Sequence, residues 1–292
     1  MWTEDLRVSE DISPAAWIAP RLSSAFGAVT RTLPGGYPGY VRICHPAAER
    51  DGSSASWSTV AQETGRQTHP LMQWHALVGS PDPLNMRGSL WRGRDPERGN
   101  LVPEILGPLC DLLADHTATP EHCFFCLWEG YGWIQGGLPT IRAVPPGAPI
   151  PPSFRFEELS RPAFSPEELS RPRVQLPSRD YLLLVGSLAA ALQIGWWPTA
   201  DWFIPQSPNL FWPADQAWCV ASEIDLDSTL VAGTTQLIDA IVQAPTFDSW
   251  AVQPDDSLAA DADRINWRTI PPTKSRPPIS RQPQNLDFSE ES

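Results

Sequence analysis

The chain has 292 residues, of which 41% are hydrophobic and 19% charged, and its formal net charge at pH 7 is −13. This hydrophobic content is sufficient for a core and excludes global disorder, and the length corresponds to one or two domains. The acidic surplus disfavours nucleic acid and anionic membranes as partners, because both are bound through clustered cations.

The first half of the chain predicts short strands and helices behind an N-terminal arm at residues 1–13. The arm is acidic and lacks the basic start and apolar run of a secretory signal peptide, so we expect a cytoplasmic protein. Hydrophobic periodicity and turn residues define the elements that follow. They are a strand at 40–44, helices at 56–63, 71–77 and 102–116, a central strand at 123–128 and the start of a partner strand at 133–135.

A proline-rich insertion is predicted at about residues 144–178. Nine of its residues are prolines, and the hexapeptide EELSRP occurs twice, at 157–162 and 167–172. Two copies are too few for a repeat architecture, which needs three or more stacked units. We therefore expect a surface loop that tolerates deletion.

The uncharged run at residues 181–200 is long enough to cross a bilayer. Its internal glycines and proline, and the lack of a cationic flank, favour a buried strand at 181–185 and a short helix at 188–194. We therefore expect no membrane association through this run.

Beyond this run we predict an aromatic, proline-rich loop, a strand, an amphipathic helix and a disordered tail. They occupy residues 198–216, 217–224, 234–242 and 269–292, respectively. Together the elements predict an α+β fold: a mixed or mainly antiparallel sheet with several short helices. We expect a single domain at 14–268, interrupted by the insertion, with two halves of separate cores as the alternative.

Four motifs are distinctive: HPLMQW at 69–74, FCLWEGYGW at 125–133, SPNLFW at 207–212 and AWCVASEIDLDST at 217–229. They resemble an uncharacterised family of actinobacterial proteins with no assigned function. The resemblance spans most of residues 15–265, without the proline-rich insertion. It implies a cytoplasmic bacterial protein and carries over no activity, cofactor or site residue.

The five cysteines do not predict a metal or redox site. Cys123 and Cys126 have the spacing of a zinc-ligand pair, but on a strand this spacing places them on opposite faces. No second pair of this kind occurs, so we expect packed, reduced thiols, no metal and no other cofactor. The sequence also lacks a complete catalytic motif, which favours a non-enzymatic protein while leaving catalysis open.

Acidic residues are concentrated in the second half of the chain. Residues 180–263 contain twelve carboxylates and no Lys, Arg or His. Glu223, Asp225 and Asp227 alternate at the end of the strand predicted there, which places all three on one face. We predict that this face captures a basic protein partner. The alternatives are a solvated or arginine-paired edge, or a Mg²⁺ or Ca²⁺ site completed by another carboxylate.

The tryptophans indicate a second candidate site. Those expected to line an aromatic pocket are Trp128, Trp133, Trp202, Trp212 and Trp218. Such rings stack on sugars or planar ligands, although tryptophan is also commonly buried in cores. The leading hypothesis is a cytoplasmic, non-enzymatic interaction protein with an acidic face for a basic partner. A small-ligand-binding module with an aromatic pocket and a carboxylate–metal hydrolase are the alternatives.

Overall fold

The computed structural model describes residues 5–83, 86–135, 163–177, 179–199 and 202–266. The strands within them are β1 (Arg7–Val8), β2 (Gly39–Cys44), β3 (Ala47–Ala48), β4 (Ser54–Ala55), β5 (Cys123–Trp128), β6 (Arg173–Leu176), β7 (Arg179–Gly186), β8 (Gly195–Thr199), β9 (Trp202–Pro205), β10 (Leu210–Pro213), β11 (Cys219–Ala221), β12 (Ser228–Gly233) and β13 (Ser249–Val252). The α-helices are α1 (Val29–Thr32), α2 (Trp57–Thr64), α3 (Trp74–Leu77), α4 (Pro103–Ala114), α5 (Pro166–Leu169) and α6 (Thr235–Gln243).

Nine of these strands form one sheet in the order β1-β7-β5-β10-β11-β12-β2-β13, with β6 also paired to β7. Every pairing in this sheet is antiparallel. The strands β3 and β4 form a separate hairpin, as do β8 and β9. The prediction of an α+β fold with a mainly antiparallel sheet and several short helices is confirmed.

Both faces of the sheet are covered, because successive side chains on a strand point to opposite faces and both sets are apolar here. On one face, Phe125 and Val231 belong to a core shared with α4 and α6. On the other, Cys126 and Leu183 belong to a core shared with the N-terminal segment 15–33.

A third core, formed largely by α2, α3 and neighbouring loops, lies beyond the end of β2. Arg42 on β2, whose side chain is 1% exposed, joins this core to the sheet. Its guanidinium donates to the carbonyl oxygens of Pro70 and Met72, at 3.2 and 2.7 Å. It also lies 5.1 Å from the ring centroid of Trp57. Since a buried charge must be bonded, Arg42 holds the loop before α3 against β2.

The predicted elements that differ from the structure have local causes. Residues 133–135 are part of the 3₁₀ helix Gly132–Gln135 and do not form a strand. The predicted loop at 198–216 contains β9 and β10, each of which ends in a proline that needs no ladder donor. The predicted strand at 217–224 is shortened to β11, because the chain turns where the Leu226 N–H donates to the Glu223 carbonyl at 2.9 Å.

Part of the predicted insertion is built into the domain. The strand β6 pairs with β7, and Phe164 is 3% exposed within the core that contains α4. The expectation that the insertion tolerates deletion is therefore wrong for residues 163–177, because their loss would remove a strand and a core side chain. Residues 144–162 and the predicted tail at 269–292 lie outside the described residues.

The N-terminal arm differs from expectation, whereas the uncharged run largely matches the strand and short helix predicted for it. The strand β1 lies inside the predicted N-terminal arm, where Leu6 and Val8 are buried, so the sheet begins before residue 14. The uncharged run from residue 181 forms most of β7, the 3₁₀ helix Leu188–Gln193 and β8. Within the described residues, no helix is long and apolar enough to span a membrane.

Candidate functional site

The three carboxylates predicted to share a face are separated. Arg179, the residue immediately before the cation-free segment, binds two of them: its Nε donates to Glu223 Oε1 at 2.8 Å and its Nη2 to Asp225 Oδ2 at 2.6 Å. The guanidinium also lies 5.1 Å from the ring centroid of Trp128. Glu223 and Asp225 therefore form an arginine-paired edge, one of the alternatives left open by the sequence.

Asp227 has a different environment from the other two carboxylates. It is 8% exposed, and its Oδ1 lies 3.4 Å from Nη2 of the buried Arg42. Burial raises the pKa of the Asp227 carboxyl, while the Arg42 charge acts in the opposite direction. The prediction of one face with three carboxylates is wrong, because the turn after β11 ends the strand alternation on which it rests.

The five tryptophans predicted to line one pocket also lie apart. Trp212 and Trp128 lie on the side of the sheet covered by the N-terminal segment, whereas Trp133 and Trp218 belong to the core with α4 and α6. Trp202 lies on the β8–β9 hairpin. The prediction of a single aromatic pocket is therefore wrong, because the five tryptophans lie on different elements, on both sides of the sheet and outside it.

A groove of about 420 Å³ opens on the sheet side covered by the N-terminal segment. We call it the Tyr181 groove and define it by its apolar wall, its polar wall and Phe26 at its edge. These residues are Leu176, Leu210, Leu226 and Leu258; Arg31, Arg179, Tyr181, Glu223 and Asp225; and Phe26. Phe26 is 85% exposed, an unusual position for a phenylalanine.

Tyr181 supplies a polar group inside this groove. The residue is 6% exposed and lines the groove, yet its hydroxyl makes no hydrogen bond with any described residue. Burial raises the pKa of this phenol, so the hydroxyl remains protonated and able to donate. The hydroxyl oxygen is not one of the fully buried polar atoms that lack a partner, so it is reachable from the groove, and a ligand oxygen there would accept its hydrogen bond.

The surroundings of the groove are predominantly acidic. Leu258 lies in the loop 255–261, which is tied to the groove by the Leu258 N–H donating to the Gly27 carbonyl at 2.8 Å. This loop carries three carboxylates, Asp255, Asp256 and Asp261, on either side of the groove-lining residues Leu258 and Ala259. With Glu223 and Asp225 they outnumber the guanidinium groups of Arg31 and Arg179.

A buried chain of hydrogen bonds resembles a catalytic relay but is closed to solvent. The hydroxyls of Ser222 and Thr229 lie 2.7 Å apart, and Thr229 Oγ1 lies 2.9 Å from His45 Nε2. Each of the three residues is at most 1% exposed, and burial lowers the pKa of His45 to about 4. Without access for a substrate, the chain connects β11, β12 and the end of β2 and does not form an active site.

The cysteines lie where the sequence places them. Cys123 and Cys126 belong to the cores on opposite faces of the sheet, which confirms that their side chains diverge. All five cysteines are free and buried, and burial raises the pKa of Cys123 to about 12. In the described part of the chain, no three His, Cys, Asp or Glu side chains form a group that could hold a metal ion.

Comparison of the chain with protein-family models, curated proteins and solved structures found no match. The resemblance to an actinobacterial family therefore stays a prediction.

Proposed function

We propose that the protein is a bacterial, cytoplasmic interaction protein that docks a basic, partly apolar segment of a partner protein in the Tyr181 groove. The observation that carries this proposal is the open Tyr181 hydroxyl on the wall of an apolar groove with acidic surroundings. The five buried free thiols fit a reducing compartment.

Each part of the groove matches one part of such a segment. An apolar side chain of the partner would pack on the leucine wall and on Phe26, which removes apolar surface from water. A lysine or arginine beside it would bind Asp225, whose side chain is 77% exposed and has room for further hydrogen bonds. The Tyr181 hydroxyl would donate to a backbone carbonyl of the segment.

This proposal keeps the basic partner of the leading hypothesis and changes the residues that bind it. Asp227 is removed from the binding face because it is paired with Arg42. Phe26 and Tyr181 are added, because they lie in the same groove as Glu223 and Asp225. The carboxylate–metal hydrolase is less well supported, since no metal-binding group of side chains is found among the described residues.

Isothermal titration calorimetry with unlabelled peptides tests the proposal. The probe is a short peptide of alternating lysine and leucine, compared with a glutamate–leucine and a lysine–serine peptide. We expect the lysine–leucine peptide to bind most tightly, because it alone offers both charge and apolar side chains. Its affinity should fall with added salt, as the Debye length shortens to about 8 Å at 0.15 M.

Two variants locate the binding, with one matched control. Asp225→Asn and Phe26→Ser alter exposed side chains, so the fold should remain intact. Asp239→Asn makes the same charge change as Asp225→Asn on an exposed position of α6. We expect weaker binding in the first two variants and unchanged binding in the control. Equal loss in Asp225→Asn and Asp239→Asn, or equal binding of all three peptides, would contradict the proposal.

A further inference from the structure

A second hollow, of about 1000 Å³, lies between the loop 87–95 and β9. We call it the Trp91 cleft and define it by three arginines, three aromatic residues and two carboxylates. These are Arg87, Arg92 and Arg94; Trp91, Trp202 and Phe203; and Asp95 and Glu97. Its volume is within the range of small-molecule sites, about 300–1,000 Å³. Trp202 is the one residue of the predicted aromatic pocket that lines it.

Two of the three arginines of the cleft, Arg92 and Arg94, are not neutralised in the way that Arg42 and Arg179 are. Arg92 and Arg94 are exposed, and neither makes an ion pair with any residue in the described ranges. The carboxylates of the cleft already accept hydrogen bonds: Asp95 Oδ1 from Trp74 Nε1 at 2.9 Å, and Glu97 Oε1 from Asn100 Nδ2 at 3.1 Å. In a protein of net charge −13, this local positive excess favours an anion.

Trp91 provides an independent indication of a ligand. It is 8% exposed, and its ring is edge-on to Trp74, with centroids 6.4 Å apart. Its buried Nε1 has no hydrogen-bond partner among the described residues. A buried donor without a partner is unfavourable, and a ligand oxygen in the cleft would satisfy it.

Two glycines hold the arginine loop in place before any ligand binds. A Cβ at Gly88 would lie 1.7 Å from the Val78 carbonyl oxygen, and one at Gly93 would lie 2.2 Å from the Ala48 carbonyl oxygen. The Arg94 N–H donates to this same Ala48 oxygen at 2.6 Å. The close backbone approach fixes the base of the arginine side chains, which reduces the ordering that binding would require.

We propose that the Trp91 cleft binds a small planar aromatic molecule that carries a carboxylate, sulfonate or phosphate. The anionic group binds the guanidinium groups of Arg92 and Arg94, which match such oxygens in a bidentate manner. The aromatic ring packs against Trp202 and Phe203, and an oxygen of the ligand accepts from the Trp91 indole. This site is separate from the Tyr181 groove and does not depend on the proposed docking function.

Calorimetric titration with naphthalene carboxylate tests this site, with naphthalene carboxamide and inorganic phosphate as comparison ligands. The carboxamide has the same ring without the charge, and phosphate has the charge without the ring. We expect the carboxylate to bind at least about tenfold more tightly than either, because charge-assisted hydrogen bonds and ring packing each contribute.

The double variant Arg92→Gln/Arg94→Gln should weaken carboxylate binding by at least about tenfold, with its fold intact because both side chains are exposed. The matched control Arg7→Gln removes an exposed arginine on β1 and should leave binding unchanged. Carboxylate binding that is absent, that equals carboxamide or phosphate binding, or that is unaffected by the double variant would overturn the proposal.

Discussion

The Tyr181 groove and the Trp91 cleft share one construction and differ in charge. In each, an aromatic residue that is more than nine-tenths buried has a donor without a hydrogen bond in the described part of the chain. The groove has carboxylates of the cation-free segment 180–263 around it, whereas the cleft has arginines of the first half. A net charge of −13 therefore says little about what each site prefers, because binding responds to the charges within a Debye length.

The two sites also differ in the structural elements that carry them. Tyr181 and Leu210 of the groove lie on β7 and β10, within the sheet. The cleft is carried by loops that pack on the third core, and that core is joined to the sheet through Arg42. Changes in the third core should therefore affect the cleft more than the groove, which allows the two sites to be separated experimentally.

The largest effect is expected for Arg42→Met. This change leaves Asp227 without its ion-pair partner and removes the donor to the carbonyls of Pro70 and Met72, so the free energy of unfolding should fall by about 3–5 kcal/mol. Naphthalene carboxylate binding should be lost before peptide binding as the variant is destabilised with urea. Urea denaturation measures the stability change, with the exposed Arg7→Met as control. A loss below about 1 kcal/mol would contradict the role of Arg42 in joining the core to the sheet.

A smaller effect is expected for Gly93→Ala. The new methyl group would overlap the Ala48 carbonyl and the Trp91 ring, which should cost about 1–3 kcal/mol and weaken binding in the cleft only. Gly107→Ala, within α4, is the matched control. A Cβ at Gly107 would have its nearest neighbour, the Leu192 side chain, at 3.8 Å. Alanine in place of a helical glycine should stabilise by about 0.5–1 kcal/mol. Equal changes in the two variants would show that Gly93 is not required for close packing.

Hydrogen bonds to Asp263, whose side chain is fully buried, also hold the loop before α3 in place. Its carboxylate accepts from His69 Nε2 at 3.0 Å, from the Gln73 N–H at 3.1 Å and from the Asn266 N–H at 2.8 Å. Burial acts to raise the pKa of this carboxyl, but the hydrogen bonds lower it overall. Because the folded-state pKa is below the unfolded value, the ionised carboxylate stabilises the fold above about pH 4.

The smallest stability effect is therefore expected for Asp263→Asn and depends on pH. At pH 7 the variant should lose about 1–2 kcal/mol, since charge-assisted hydrogen bonds are replaced by neutral ones. The difference from the wild type should shrink as the pH falls below about 4 and the wild-type carboxylate takes up a proton. Thermal melts across this range measure it. A difference that is constant with pH would mean that the negative charge of Asp263 does not contribute.

Much of the fold is predictable from local patterns of hydrophobic residues. The runs that became β5, β7, α4 and α6 are long and apolar enough to be recognised without knowing their neighbours. The strands β12 and β13 are not predicted, since six of the ten residues in STLVAG and SWAV are small or polar. Their pairing with β2 provides what their own composition does not.

The candidate sites are less predictable, because they depend on contacts between distant residues. Arg179 lies 44 residues before Glu223, and no local pattern links the two. The alternation of Glu223, Asp225 and Asp227 indicates a common face only if the strand continues, and the chain turns there instead. The unpartnered donors of Tyr181 and Trp91 depend on which residues pack around them in the folded chain. No spacing of residues in the sequence predicts this.

The central claim is that the molecule has two independent sites of opposite charge preference. It is tested most directly by titrating the lysine–leucine peptide and naphthalene carboxylate into the wild type, Asp225→Asn and Arg92→Gln/Arg94→Gln. We predict that Asp225→Asn weakens peptide binding alone and that the arginine variant weakens carboxylate binding alone. A variant that weakens both ligands equally, or a ligand whose binding neither variant changes, would contradict the claim.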